Sequence, residues 1–327
     1  MSGFDITGWG ISVPERVVTS VELAERFGVD EHWIVSRCGI RERRAVGAGQ
    51  STASMAVEAG RRALERAGLS GADIAHLIVA TATPEQPSPA TSAFVHEALE
   101  IAGSAHDVNS ECAGFVYGLV TAAGLLRMDP RPVLLIGSDT HTLTANPQDR
   151  DLSILVGDGA GAVVLQPGSV ERILAWNLGA DGSCKDSLKV LAGGSRLPTS
   201  EETVRRGLHY AQINGNEIYL NAVRYTVRTI RETLEQAKLT PADVDHVVPH
   251  QANIRIINSV LAHTGIPSDR LVTNLERYGN TASASIPIAL AEALDAGRIQ
   301  DGDTVLLAGF GAGMTWGSVL LTWGGAR

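Results

Sequence analysis

The sequence predicts an α/β fold built from two copies of one unit, and an internal repeat is the main observation behind that prediction. Residues 64–76 and 234–246 are identical at 7 of 13 positions, at a constant offset of 170. Residues 133–137 (VLLIG) recur as 305–309 (VLLAG) at an offset of 172, so the order of the segments is repeated as well. A repeat of this kind indicates a duplicated structural unit.

Each copy contains an amphipathic helical segment that leads through a turn into a short apolar run. These runs cover residues 77–80 in the first copy and 247–248 in the second. Short, continuously apolar runs are typical of strands that are buried on both faces of a sheet. We therefore expect two α/β halves, residues 1–170 and 171–327, with functional side chains at strand ends along a shared seam.

Composition is consistent with a large globular protein and excludes several classes of partner. The chain has 327 residues, 44% of them hydrophobic, and a net charge of −9, which argues against nucleic acid or an anionic membrane as a partner. Its three cysteines are scattered and lack the spacing of a metal site or a disulfide framework, so we expect no metal. No apolar run approaches 18 residues and no signal segment is evident, which predicts a cytoplasmic protein without a membrane span.

Three polar residues in separate segments together suggest one catalytic apparatus. Cys112 lies between a short extended stretch and the helix-compatible run 113–125. A helix N-terminus would stabilise the thiolate there, which makes Cys112 a candidate nucleophile. His250 follows an apolar run and a proline, and Asn280 lies in a turn, so each is a candidate neutral hydrogen-bond donor. The set predicts acyl transfer through a thioester, with two donors stabilising an oxyanion.

Each of these residues also has a simpler explanation when it is considered alone. A single cysteine in apolar surroundings is commonly a core residue, and an asparagine after a glycine is commonly a turn former. Four further motifs provide the context that decides between these explanations. They cover residues 33–41, 157–161, 214–217 and 310–317.

The segments around Cys112, His250 and Asn280 and these four motifs occur in a specific order along the chain. Together they resemble the β-ketoacyl-acyl-carrier-protein synthase III family of the thiolase-like superfamily, over nearly the whole chain. The resemblance implies a thiolase-like fold whose two α/β halves are packed in αβαβα layers. It also implies that Cys112 takes an acyl starter from acyl-CoA, while His250 and Asn280 help to decarboxylate a malonyl extender. The extender would be bound to an acyl carrier protein or would be another malonyl thioester.

The resemblance also assigns the residues that bind the substrates. The backbone N–H groups of Cys112 and Ala312 would hold the oxyanion of acyl transfer. Acyl-CoA would be a substrate, so no resident cofactor is expected, and the protein would be a homodimer. The implied coenzyme A contacts are Trp33, Arg37, Arg150, Gly215, Asn216 and Asn253.

The chain departs from the family pattern at several positions. Ser88 stands where acetyl-selective members place a bulky aromatic residue from the partner subunit, so the acyl pocket is expected to accept larger starters. Leu220 and Ala262 stand where such members often place lysines that dock the acidic carrier protein, which leaves Arg255 as the principal docking cation, with Arg224 or Arg228 as further candidates. Glu111 is unexpected beside the nucleophile. If it points inward it would oppose thiolate formation, and if it points outward it would line an interface.

The sequence leaves some alternatives open and disfavours others. A related acyltransferase that passes the acyl group to an alcohol or an amine would use the same Cys112 and His250. A degradative thiolase needs a second cysteine in its C-terminal region, but no cysteine follows Cys184. The duplicated pattern disfavours a papain-type hydrolase, and the presence of Cys112 disfavours an inactive subunit. The starter and the pathway, fatty acid or polyketide, are not determined.

Overall fold

The computed structural model describes residues 3–324. Its strands are β1 (Gly3–Ser12), β2 (Val17–Thr19), β3 (Glu42–Arg44), β4 (His76–Ala80), β5 (Ser104–Val108), β6 (Val133–Thr140), β7 (Asp158–Gly168), β8 (Ile173–Ala180), β9 (Leu188–Val190), β10 (Ala211–Ile213), β11 (His246–Pro249), β12 (Thr304–Gly311) and β13 (Thr315–Thr322). Its α-helices are α1 (Ser20–Phe27), α2 (Glu31–Cys38), α3 (Thr52–Ala67), α4 (Thr91–Ala98), α5 (Gly114–Met128), α6 (His141–Thr144), α7 (Arg150–Ser153), α8 (Glu201–Arg205), α9 (Gly215–Ala237), α10 (Ile254–Thr264), α11 (Leu275–Tyr278) and α12 (Ser285–Asp295).

Two main sheets share one topology. The first has the order β1-β7-β6-β4-β5 and the second, read in the same sense, has the order β8-β13-β12-β11. In both sheets the first two pairings are antiparallel and the third is parallel. Leu271 forms a parallel bridge with Val247 on β11, at the edge that β5 occupies in the first sheet. The strands of the first sheet come from residues 3–168 and those of the second from residues 173–322. The boundary expected at residue 170 stays a prediction.

The sequence repeat corresponds to one local structure. In each copy a short 3₁₀ turn separates the long helix from the parallel strand. The Ser70 hydroxyl donates to Asp73 at 2.7 Å, and the Thr240 hydroxyl donates to Asp243 at 2.6 Å. These contacts explain the shared aspartate of the repeat, because its carboxylate caps the turn that directs the chain into the sheet.

Helices lie on both sides of each sheet, which gives the expected αβαβα layers. Helix α3 packs on the outer face of the first sheet, where its alanines contact apolar side chains of β4, β6 and β7. Helix α9 and helix α10 cover the outer face of the second sheet. Helices α5 and α12 lie between the two sheets in a core shared with β6, β7, β12 and β13. The thiolase-like layered fold is therefore confirmed.

Candidate active site

The turn before α5 presents Cys112. A 3₁₀ turn, Glu111–Ala113, leads directly into α5, and Cys112 is buried with 7% of its surface exposed. The end of β12 packs closely on this turn, since a Cβ added at Gly311 would lie 2.7 Å from the Cys112 backbone nitrogen. Glycine at position 311 therefore lets the second sheet approach the nucleophile. The next residue, Ala312, lines a cavity that Cys112 also lines.

His250 lies one residue beyond β11 and is held as a neutral imidazole. It is 2% exposed, and burial lowers its pKa to about 3. Its Nδ1 lies 2.7 Å from the Ser285 Oγ, which also accepts a hydrogen bond from the Gln251 backbone N–H at 3.3 Å. The Ser285 hydroxyl has no other acceptor within the described residues, so it can donate to His250 Nδ1. In that tautomer the ring proton is on Nε2, and the imidazole is a donor toward the cavity.

Asn280 is fixed by its backbone and by its side-chain oxygen. Its backbone N–H donates to the Leu155 carbonyl at 2.8 Å, and its carbonyl accepts from the Gly157 N–H at 2.9 Å. The Ala282 N–H donates to the Asn280 Oδ1 at 2.9 Å. Since the oxygen has this partner, the amide NH2 group is the part of the side chain that is left to donate into the cavity.

The buried carboxylate of Asp139 joins the two halves beside these residues. It accepts hydrogen bonds from the backbone N–H groups of Ala82 and Thr83, at 2.8 and 3.0 Å. It also accepts from the Ser283 N–H at 2.9 Å and from the Ser283 hydroxyl. Asp139 thereby ties the loop after β4 to the segment that carries Asn280. The sequence analysis missed both Asp139 and Ser285, because nothing in the local pattern distinguishes them from ordinary buried polar residues.

Two cavities meet at Cys112 and Asn280 within the described residues. We call the first the entry channel. It is lined by Gly215, Asn216, Tyr219, His250, Asn253, Arg255 and Ala312, among others. We call the second the inner pocket. It is lined by Glu111, His141, Thr144, Ala145, Leu152, Val156, Lys189, Val190 and Ala211, among others.

The expected coenzyme A contacts fall into two groups. Gly215, Asn216 and Asn253 line the entry channel with Cys112. Trp33 lies outside the channel lining and is flanked by two guanidinium groups, that of Arg37 at 4.3 Å from its ring centroid and that of Arg150 at 4.7 Å. The sequence predicts that Trp33 and Arg37 lie on one face of a helix. Only the tertiary structure shows that Arg150 on α7 also contacts the Trp33 ring.

The environment of Cys112 corrects one expectation. Burial raises the pKa of the Cys112 thiol well above its usual value, and the negative charges of Glu111 and Asp139 raise it further. The expectation of a thiolate stabilised by the helix start is therefore wrong for the resting site, where the thiol is protonated. Glu111 points inward to line the inner pocket, and its effect on the thiol pKa has the expected sign.

The remaining two expected site residues lie at the surface. Arg255 is exposed at the edge of the entry channel, with its guanidinium 5.8 Å from the Tyr219 ring centroid. Ser88 is exposed in the segment before α4 and lines neither cavity of the single chain. Its assignment to the acyl pocket depends on a partner subunit and stays a prediction. Within residues 3–324, no group of three or more His, Cys, Asp or Glu side chains could hold a metal ion, and no helix is suited to cross a membrane.

Comparison with known proteins identifies the family. The 3-oxoacyl-[acyl-carrier-protein] synthase III model matches residues 106–182, and the model of that synthase's C-terminal region matches residues 234–323. A β-ketoacyl-[acyl-carrier-protein] synthase III from Roseiflexus sp. (strain RS-1) is 44% identical over 97% of this chain and 98% of that protein.

Solved structures agree with this assignment. The 3-oxoacyl-(acyl carrier protein) synthase III of Pseudomonas aeruginosa PAO1 superposes with a TM-score of 0.91 at 35% identity, covering 99% of both chains. The priming β-ketosynthase of the R1128 polyketide pathway superposes with a TM-score of 0.90 at 34% identity, covering 98% of this chain and 96% of that one. These relatives are named as synthases, so transfer to an alcohol or an amine is not favoured. The chain belongs to the β-ketoacyl-acyl-carrier-protein synthase III family and is a condensing acyltransferase.

Proposed function

We propose that Cys112 accepts an acyl starter from acyl-CoA and that the acyl-enzyme then condenses with a malonyl thioester to give a β-ketoacyl product and CO2. One observation carries this proposal: Cys112, His250 and Asn280 line the same entry channel, and the two latter side chains are neutral donors. This combination suits an enolate that is formed by decarboxylation, because the site needs to stabilise an oxyanion and needs no base.

In the loading step, the Cys112 sulfur attacks the thioester carbonyl and the coenzyme A sulfur leaves. The thiol proton ends on the departing coenzyme A. The step therefore converts a cysteine thiol and an acyl-CoA thioester into an acyl-cysteine thioester and a coenzyme A thiol. The N–H groups of Cys112 and Ala312 would hold the oxyanion of the tetrahedral intermediate, since the first turn of a helix leaves N–H groups unpaired. The raised pKa of Cys112 makes its thiolate a strong nucleophile once it forms.

In the condensation step, the malonyl thioester loses CO2 and its electron pair becomes an enolate. The His250 Nε2–H and the Asn280 NH2 group would donate to the enolate oxygen, and one such donor is worth about 3 kcal/mol. The carbanion attacks the acyl group on Cys112, the cysteine sulfur leaves as a thiolate, and it recovers its proton from solvent. A positively charged imidazole is not required, which agrees with the low pKa of His250.

The entry channel would admit both substrates in turn. Trp33, Arg37 and Arg150 form a cationic aromatic surface suited to an adenine ring and its phosphates. Arg255 at the edge of the channel would attract an acidic carrier protein, on a chain whose net charge is −9. We also propose a homodimer that works in the cytoplasm. The three cysteines are free thiols, which suits a reducing compartment.

Intact-mass measurement of acyl loading tests the proposal. The Cys112→Ala variant should take up no acyl group from acyl-CoA, whereas the Cys184→Ala variant should load normally because Cys184 is an equally buried thiol at 8% exposure that lines neither cavity. The His250→Ala and Asn280→Ala variants should load but should lose condensation by about 100-fold or more. Full loading of Cys112→Ala would overturn the assignment of the nucleophile. Normal condensation by either donor variant would remove that residue from the catalytic set.

A further inference from the structure

The inner pocket contains two polar groups that the condensation does not use. Glu111 lines this pocket beside Cys112, and its carboxylate makes no hydrogen bond within residues 3–324. His141 lines the same pocket, and its Nε2 is buried without a hydrogen-bond partner in that part of the chain. Burial raises the pKa of the Glu111 carboxyl, and the nearby His141 opposes this rise in part.

Apart from Cys112 and Asn280, which the proposed condensation uses, the other polar groups of the inner pocket already have partners. The Thr83 hydroxyl donates to Asp139 at 2.8 Å, and the Lys189 ammonium donates to Asp186 at 2.8 Å. The Thr144 hydroxyl donates to the His141 carbonyl at 3.0 Å. Much of the remaining lining is apolar and includes Ala145, Leu152, Leu155, Val156, Val190, Ala211 and Ile213. The Glu111 carboxylate and the His141 Nε2 therefore have no hydrogen-bond partner within residues 3–324, although His141 Nδ1 lies 3.4 Å from the Thr144 Oγ1. A ligand that bonded to both groups in these largely apolar surroundings would be favoured.

The backbone at Glu111 supports a ligand-binding role. Its φ of 50° lies in the left-handed region, which disfavours every residue with a β-carbon. A strained residue of this kind beside a nucleophile is typical of a functional position.

We propose that the inner pocket selects a starter acyl group with a hydrogen-bond-donating substituent, a hydroxyl or an amino group, a few carbons from the thioester carbonyl. This inference rests on the proposed loading of Cys112. The substituent would donate to the Glu111 carboxylate. A hydroxyl would also accept a hydrogen bond from a protonated His141 Nε2, whereas an amino group would donate a second one to an unprotonated Nε2. An alkyl starter of the same shape would remove water from both groups and replace none of their hydrogen bonds.

Three coenzyme A esters of matched size test the proposal. The esters are 3-hydroxybutyryl-CoA, 3-aminobutyryl-CoA and 3-methylbutyryl-CoA, which differ only in the hydroxyl, amino or methyl group at one carbon. Their rates of loading onto the wild-type enzyme are measured by intact mass. We expect the hydroxyl or the amino ester to load about 10-fold or more faster than the methyl ester, because a site built for hydrogen bonds rejects an analogue that lacks them.

Variants connect the preference to the two side chains. Glu111→Leu and His141→Leu should each reduce or reverse it, whereas Glu100→Leu should keep it, because Glu100 also has a positive φ but lines neither cavity. Faster loading of the methyl ester by the wild-type enzyme would overturn the inference and leave the proposed function intact. An unchanged preference in both folded leucine variants would also overturn it. If none of the three esters loads Cys112 but acetyl-CoA does, this inference fails and the proposed function stands, whereas the proposed function fails as well if acetyl-CoA also does not load.

Discussion

At the scale of single residues, the candidate site combines a protonated thiol with two neutral donors. Burial explains both properties, because a low-dielectric environment disfavours the charged form of each group. It raises the pKa of Cys112 and lowers that of His250. Burial thus favours the uncharged forms of Cys112 and His250, and contacts with Ser285 and Ala282 orient the two donors in advance.

The raised pKa of Cys112 predicts its alkylation profile. The rate of its reaction with iodoacetamide should continue to rise above pH 9, because the thiolate is the reactive form. Glu111→Gln should increase the rate at a given pH, since it removes a negative charge that raises the thiol pKa. Glu100→Gln is the matched control, as Glu100 also has a positive φ of 52° but lies in neither cavity. A rate that reaches a plateau below pH 8 would contradict the assignment.

The lowered pKa of His250 predicts a pH dependence of stability. The folded state binds the His250 proton only near pH 3, whereas the unfolded chain binds it near pH 6.5. The unfolded state therefore gains protons first as the pH falls, and this residue's contribution to stability is complete above about pH 6.5 and is lost toward pH 3. The loss should be roughly 1 to 1.5 kcal/mol between pH 7.5 and 5.5.

Urea unfolding of the wild type and of His250→Gln over this pH range measures that contribution. The stability of the wild type relative to the variant should fall as the pH is lowered, because glutamine does not titrate. A relative stability that rises toward pH 5.5 would show that the folded site holds a protonated imidazole.

At the scale of elements, the site depends on how closely strand ends approach helix starts. The 3₁₀ turn before α5 lies against the end of β12, and Asp139 at the end of β6 holds the segment that carries Asn280. Each of these contacts joins a residue of the first half of the chain to one of the second. The geometry of the site therefore depends on the packing between the sheets more than on any single helix or strand.

Two glycine substitutions should separate this packing from general effects on stability. Gly311→Ala would place a Cβ 2.7 Å from the Cys112 nitrogen and 2.8 Å from the Ser110 carbonyl oxygen, which are backbone atoms that cannot move without displacing the nucleophile. We expect it to lower the rate of acyl loading and to destabilise the fold by about 1 to 3 kcal/mol.

Gly124→Ala is the control, because Gly124 is exposed in α5 and an added Cβ meets nothing within 4 Å. It should raise the free energy of unfolding by about 0.5 to 1 kcal/mol and leave loading unchanged. Thermal unfolding together with intact-mass loading measures both effects. Wild-type loading by a folded Gly311→Ala protein would show that the end of β12 does not position Cys112.

At the scale of the whole molecule, the duplicated halves build one core and one site. Helices α5 and α12 come from different halves and share the layer between the two sheets. Cys112 precedes the first of these helices, while Asn280 and Ser285 lie just before and at the start of the second. The central layer therefore brings the nucleophile and one donor together, and the end of β11 adds His250.

Ser88 is exposed and lines neither cavity of the single chain, so its expected effect on starter selectivity depends on the expected dimer. If a partner subunit places Ser88 at the inner pocket, a four- to eight-carbon acyl-CoA should load faster than acetyl-CoA, since each buried methylene contributes about 0.8 kcal/mol. Ser88→Phe should reverse this order by filling the pocket, whereas Ser88→Ala should keep it. Competition between two acyl-CoA esters, read by intact mass, gives the ratio directly. A wild-type preference for acetyl-CoA would rule out the extra room that Ser88 implies.

The sequence by itself determined the duplicated α/β fold and the family, and it pointed to the three side chains that we propose carry the chemistry. It could do so because the repeat fixes local elements, and because Cys112, His250 and Asn280 each lie in a recognisable segment. Only the tertiary structure decided that the thiol is protonated, that Ser285 orients His250, and that Glu111 faces the inner pocket with His141. These properties depend on burial and on contacts between residues far apart in the chain, such as the 144 positions between Asp139 and Ser283. Local sequence patterns do not show which distant residues come into contact or which groups folding removes from solvent.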